Sequence, residues 1–180
     1  MAVNHIAAAL VCSMILLPLA AASRDGYSHS SPNRFPRRVR VVVEGMVYCQ
    51  NCRYLGSWSL SQAQPIASAN ISVTCKNRMN QVGFYKTYET DHKGYFFAQL
   101  DGFKMRNSIL EHPLQACSVK LVSSPLANCS LLSNINNGLN GAPLTYVREL
   151  KRGPSYEAAL YKAGPLAFRP NQCPVKVPKY

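Results

Sequence analysis

Arg38 to Cys52 reads RVRVVVEGMVYCQNC. Val39, Val41 and Val43 alternate with Arg38, Arg40 and Val42. A period of two built from β-branched residues predicts a strand with one face buried. Gly45 interrupts the alternation and marks a bulge. The strand runs directly into Cys49-Gln50-Asn51-Cys52, so a close cysteine pair ends a strand. The chain opens as a β protein.

Outward from this stretch the β signal repeats. Ile71 and Val73 flank Ser72 within Ala69 to Thr74. Gly83 to Thr90 and Gly94 to Leu100 read as two strands joined by Asp91-His92-Lys93-Gly94, a hairpin signal. In Ala116 to Ser123, Val119 and Leu121 alternate with Lys120 and Val122. Thr145 to Leu150 and Leu166 to Val177 are weaker strands, the second broken by Pro170 and Pro174. Arg53 to Ser68, Lys104 to Gln115, Asn128 to Pro143 and Gly153 to Gly164 read as irregular, with one or two helical turns in Ser155 to Ala163. Loops of that length need pinning or a function, and cysteines sit at their margins. The fold expected is all-β, an antiparallel barrel or sandwich of about seven strands with long disulfide-pinned loops.

Residues 1–22 carry no charged side chain, and Ile6 to Leu19 is almost wholly apolar before Ala20-Ala21-Ala22. This is the layout of a signal peptide. Cleavage leaves no later segment apolar enough to span a membrane. Cys12 falls in the leader, so six cysteines remain: Cys49, Cys52, Cys75, Cys117, Cys129 and Cys173. An even set in an exported chain reads as a disulfide framework whose pairing the spacing leaves open. Residues 23–38, SRDGYSHSSPNRFPRR, form a basic linker whose composition predicts disorder. Residues 39–180 form the domain, large enough to bury a core without staples.

The chain has 20 basic and 8 acidic side chains, a net charge of +12, and none of this charge lies in the leader. Such a surface attracts polyanions. Export makes nucleic acid an unsuitable partner and points to acidic wall polysaccharide, an anionic membrane surface or an acidic protein.

The cysteine spacing C-x2-C-x22-C-x41-C-x11-C-x43-C, led by VEGMVYCQNC, resembles the plant pollen Ole e 1-like extracellular proteins. These include the cysteine-containing domains of non-classical arabinogalactan, proline-rich and extensin-like wall proteins. Thr90 to Leu100 (TDHKGYFFAQL), Asn128-Cys129-Ser130 and Phe168 to Pro174 (FRPNQCP) match further segments of the family. The resemblance covers Val41 to Pro174. It implies an antiparallel β-barrel or sandwich, a non-enzymatic structural or developmental role in the wall, and the pairs Cys49–Cys129, Cys52–Cys173 and Cys75–Cys117. The long Pro-rich or His-rich region of many members is reduced here to Ser23–Arg38, so a heavily O-glycosylated stalk is not expected.

No catalytic constellation stands out. Ser-His-Asp chemistry needs a positioned base, and His29, His92 and His112 are scattered. Paired carboxylates would suit glycoside hydrolysis, but Asp91 reads as a turn residue beside Glu89. Cys49-x-x-Cys52 lacks the second close ligand pair of a zinc knuckle. Neither a cofactor nor a metal is expected. Two sequons, at Asn70 and Asn128, are glycosylation candidates, Asn70 the better placed because Asn128 abuts a cysteine. The candidate polysaccharide-binding cations are Arg34, Arg37, Arg38 and Arg40 in one cluster and Arg148, Lys151 and Arg152 in another. Lys76 and Arg78 flank a strand end. Guanidinium groups grip carboxylates in a fork, which suits the galacturonate of pectin. Tyr54 and Trp58 lie in the first long loop, where sugar stacking competes with core packing; core packing is the reading taken for Trp58. The function expected is a secreted wall protein that binds pectin, with wall glycoproteins as further partners. The alternative is a secreted ligand or inhibitor acting on a protein partner.

Overall fold

The computed structural model describes residues 40–103, 112–152 and 156–174. The leader, the linker and its Arg34, Arg37 and Arg38 lie outside the described residues. The described chain contains β1 (Arg40–Cys49), β2 (Gln64–Pro65), β3 (Asn70–Lys76), β4 (Val82–Glu89) and β5 (Tyr95–Gln99). After a short helix, α1 (Pro113–Ala116), come β6 (Cys117–Ser123), β7 (Leu131–Leu132), β8 (Ala142–Pro143), β9 (Thr145–Arg152) and β10 (Tyr156–Arg169). Three of these strands are only two residues long, which accounts for the difference from about seven.

Among the described residues the strands form two sheets rather than one closed barrel, so the sandwich expectation holds. The first sheet is centred on β1 and β10. One edge of β1 takes β5 and then β2, and the far edge of β10 takes β9 and then β7. The second sheet runs β4–β3–β6–β8, with every pair antiparallel. The β1–β10 pair is parallel, an arrangement that the short-range pattern did not foretell. A parallel pair needs a long crossover, and here nearly the whole domain lies between the two strands.

Centrality explains why β1 departs from a one-faced strand. Val41 and Val43 face the main core, while Val42 packs with Ala158 and Leu160 on the other side of the sheet. All three valines are buried. The main core lies between the sheets. Val41, Val43, Val47, Phe96, Tyr161 and Phe168 meet Ile71, Val73, Val119 and Leu121 there.

The expected bulge appears as a register shift between Gly45 and Val47. Glycine is required at 45 because a Cβ would sit 2.4 Å from the Ala163 carbonyl oxygen and 2.5 Å from the Phe96 ring. At the turn before β5, Gly94 has φ +74, and a Cβ would lie 2.7 Å from the Val47 carbonyl oxygen.

Two local expectations are corrected. Gly83–Thr90 and Gly94–Leu100 do not form a hairpin, because β4 pairs with β3 and β5 pairs with β1. The Asp91–Gly94 turn carries the chain from one sheet to the other. It is a tight turn: the Asp91 N–H donates to the Tyr95 carbonyl (2.7 Å) and the Gly94 N–H to the Asp91 carbonyl (2.9 Å). Asp91 Oδ1 also accepts from the Lys93 and Tyr95 N–H groups. Those backbone bonds, Tyr95 first, hold its carboxyl below the usual range. Nor is Tyr156–Ala163 irregular or helical; it is the first half of β10. Ala, Leu, Glu and Lys favour helix locally. Pairing with β1 on one side and β9 on the other overrides that preference.

The three disulfides are Cys49–Cys129, Cys52–Cys173 and Cys75–Cys117, the pairs implied by the resemblance. They close loops of 80, 121 and 42 residues. In the chain-entropy model each contributes about 4–5 kcal/mol.

Candidate basic face and the loop after the first strand

Residues paired across an antiparallel ladder share a face, and residues two apart on one strand share it too. On the side of the first sheet away from the main core, this places Arg40, Ala158 and Leu150 in one row. Val42, Leu160 and Arg148 form the next row, and Glu44, Lys162 and Thr145 the third. Arg40, Arg148 and Lys162 are exposed, around a buried strip of Val42, Ala158 and Leu160. The fold thus brings together two predicted cations more than a hundred residues apart and adds Lys162. Lys162 is not among the sequence-derived candidates, because its segment reads as a loop or helical turn. Ala158 to Ala163 has no period-two alternation, so the short-range pattern held no signal that would have found it.

The predicted cluster Arg148, Lys151 and Arg152 is split by the pleat. Lys151 is three residues from Arg148 and therefore on the opposite face. It pairs there with Glu149 at 3.7 Å, both side chains exposed, an arrangement of little energetic worth. The Arg152 side chain lies outside the described residues. Lys76 and Arg78 belong to the β3–β4 end of the second sheet.

One carboxylate shares the basic face. Glu44 Oε2 accepts a 2.8 Å hydrogen bond from the Tyr95 hydroxyl. Burial, and then this carboxylate, push that hydroxyl above the usual tyrosine range. Beside Lys162 lies a cleft of about 230 Å³ lined by Asn136, Asn137, Pro143, Thr145, Lys162 and Gly164. Asn136 and Asn137 both have positive φ, 49° and 62°, a conformation that asparagine tolerates better than most residues. Asn136 Nδ2 donates to the Pro165 carbonyl at 2.7 Å, fixing this turn against β10. The lining offers an ammonium, a hydroxyl and amide groups, a set that can bind a hydroxylated acid. Among the described residues, no three His, Cys, Asp or Glu side chains are grouped to hold a metal ion.

A second site lies at the other end of β1. The side chain of Gln50 is buried, and its Nε2 donates to the Tyr54, Ser57 and Ser59 carbonyls, each at 3.0 Å. Its Oε1 accepts from Arg169 Nε at 3.1 Å. This network holds the loop that carries Trp58. Core packing is overturned for Trp58, which is 68% exposed. The Gln50 side chain occupies the interior of the loop and the indole is left outside.

The sequons differ in setting. Asn70 starts β3 half-buried, its Nδ2 donating to Ser123 Oγ at 3.1 Å. Asn128 is exposed beside buried Cys129.

No family model matches the chain. It is 33% identical over 140 residues to non-classical arabinogalactan protein 30 of Arabidopsis thaliana, covering 74% of this chain and 54% of that protein. It is 33% identical over 95 residues to Olee1-like protein of Betula pendula, covering 52% of this chain and 51% of that one. The chain thus spans about half the length of these relatives. Among solved structures, the major plantain pollen allergen Pla l 1 superposes with a TM-score of 0.50 at 20% identity, over 77% of this chain and all of that one. That likeness concerns the fold. Spacing, pairing, sheet arrangement and relatives agree, and the chain belongs to the plant Ole e 1-like family.

Proposed function

We propose that this is a secreted, non-enzymatic plant wall protein that binds acidic wall polysaccharide, specifically de-esterified pectin. The observation that carries the reading is the convergence of Arg40, Arg148 and Lys162 on one face of the first sheet, beside the Asn136–Asn137 cleft. Lys162 meets a galacturonate carboxylate, and Thr145 and Asn137 meet the ring hydroxyls. Arg40 and Arg148 hold neighbouring carboxylates on the same chain. Residues 34–38 add further cations along the sequence. The leader routes the protein out of the cell, and Asn70 and Asn128 are its candidate glycosylation sites. The developmental role follows from residence in the wall.

The test is retention of the mature protein on de-esterified pectin across a salt series. Attraction between exposed charges weakens as salt screens it. Reversing Arg148 and Lys162 together to Glu is expected to weaken retention about tenfold or more. Retention indifferent to salt and to both reversals sinks the reading, and leaves the ligand or inhibitor of a protein partner in its place. Deleting residues 23–38 separates the contribution of the arm from that of the domain, since Arg40 belongs to β1.

A further inference from the structure

Trp58 is the only tryptophan in the chain, and it faces solvent. A large aromatic left outside forgoes the stabilisation that burial would bring. The backbone on either side of it is nevertheless held in place. Gln50 Nε2 holds the carbonyls on both sides of it, those of Ser57 and Ser59. Ser57 Oγ donates to the Tyr54 carbonyl at 2.7 Å and accepts from the Ser59 N–H at 3.1 Å. Arg169 Nη2 adds a donor to the Ser57 carbonyl at 3.4 Å. The Cys52–Cys173 bridge ties the start of the loop to the end of the domain. An exposed ring on a backbone already ordered offers contact area with little further entropy to lose on binding.

We propose that Trp58 is a stacking platform for an uncharged pyranose chain. The C–H face of a pyranose ring is apolar and slightly positive, which complements the electron-rich face of an indole. Residues 56–64, GSWSLSQAQ, carry no charged side chain. Ser61, Gln62 and Gln64 are exposed there and donate to and accept from sugar hydroxyls. This uncharged stretch of sequence sets the loop apart from the cations near the start of β1, and the Arg169 guanidinium that reaches it is directed at Gln50 and the Ser57 carbonyl. Trp58 follows the end of that strand, so the site stands whether or not the basic face binds pectin.

Because no other tryptophan emits, indole fluorescence reports this site alone. The mature protein is titrated in high salt with cellohexaose, xylohexaose and galactohexaose in turn. The expected result is a saturable shift of the emission to the blue, with protection from acrylamide quenching, for at least one of them. Trp58→Ala, read by calorimetry with the same sugar, is expected to bind about tenfold more weakly. Its thermal unfolding stays unchanged, since the side chain buries little. The Arg148→Glu, Lys162→Glu protein keeps the full emission response, so loss of pectin retention and loss of this site are read separately. Unchanged emission with all three sugars overturns the proposal, as does undiminished sugar binding by Trp58→Ala. A shift produced only by a wall protein fraction also overturns it and assigns the loop to a protein partner.

Discussion

Gln50 lies within Cys49-x-x-Cys52, a spacing that the sequence presents as part of a disulfide framework, with a zinc knuckle as the competing reading. In the fold it acts as the inner scaffold of a loop. One amide serves three carbonyls and one guanidinium. Gln50→Ala removes a donor from the Ser59 carbonyl and the acceptor from Arg169 Nε, while the Tyr54 and Ser57 carbonyls keep Ser57 and Arg169 as donors, at a cost of about 1–3 kcal/mol. Urea unfolding measures this, and a loss below about 0.5 kcal/mol would show that the disulfides alone hold the loop. The cysteines were legible because export makes an even set meaningful whatever its surroundings. Trp58 was not, because burial depends on what else fills the space beneath a loop.

At the scale of the element, β10 and the Gly45 bulge belong together. The register between β1 and β10 shifts where Gly45 lies against Ala163, with the Phe96 ring filling the space that a side chain would take. Gly45→Ala forces the ring or the strand to move, and overpacking of this kind costs about 1–3 kcal/mol. Thermal unfolding checks it; an unshifted midpoint would mean that Phe96 has room to swing aside. β1 was legible from its valines. β10 was not, because Tyr156 to Ala163 (YEAALYKA) shows no period of two and mixes helix-favouring Ala, Leu, Glu and Lys with strand-favouring Tyr, a composition that suits either helix or strand. Only a paired neighbour on each side decides between them, and those neighbours come from distant parts of the chain. Lys162 was missed for the same reason.

At the scale of the whole molecule, the two sheets are joined by polar as well as apolar contact. The Tyr88 hydroxyl on β4 donates to the Gln99 carbonyl on β5 at 2.5 Å. Burial, and then the charge of Asp101, push that hydroxyl up to about 12. The folded state therefore holds this proton more tightly than the unfolded chain, whose tyrosines titrate near about 10. The stabilisation is complete below about pH 10 and is lost as pH rises towards about 12. Unfolding midpoints measured across that window should fall more steeply for the native protein than for Tyr88→Phe. Equal slopes would remove Tyr88 from the account. Burial acts in the same direction on Tyr161, followed by Tyr146, so part of the alkaline loss persists in the variant.

The sequence by itself determined the β class, the leader layout, the six-cysteine framework and the excess of positive charge. Each is written in local pattern or composition, which needs no knowledge of neighbours. Tertiary structure alone decided the parallel pairing of β1 with β10 and the passage of the Asp91–Gly94 turn between sheets. It also decided the convergence of Arg40, Arg148 and Lys162 and the exposure of Trp58. These depend on which distant strand supplies a partner, because a strand's faces acquire meaning only when its neighbours are in place.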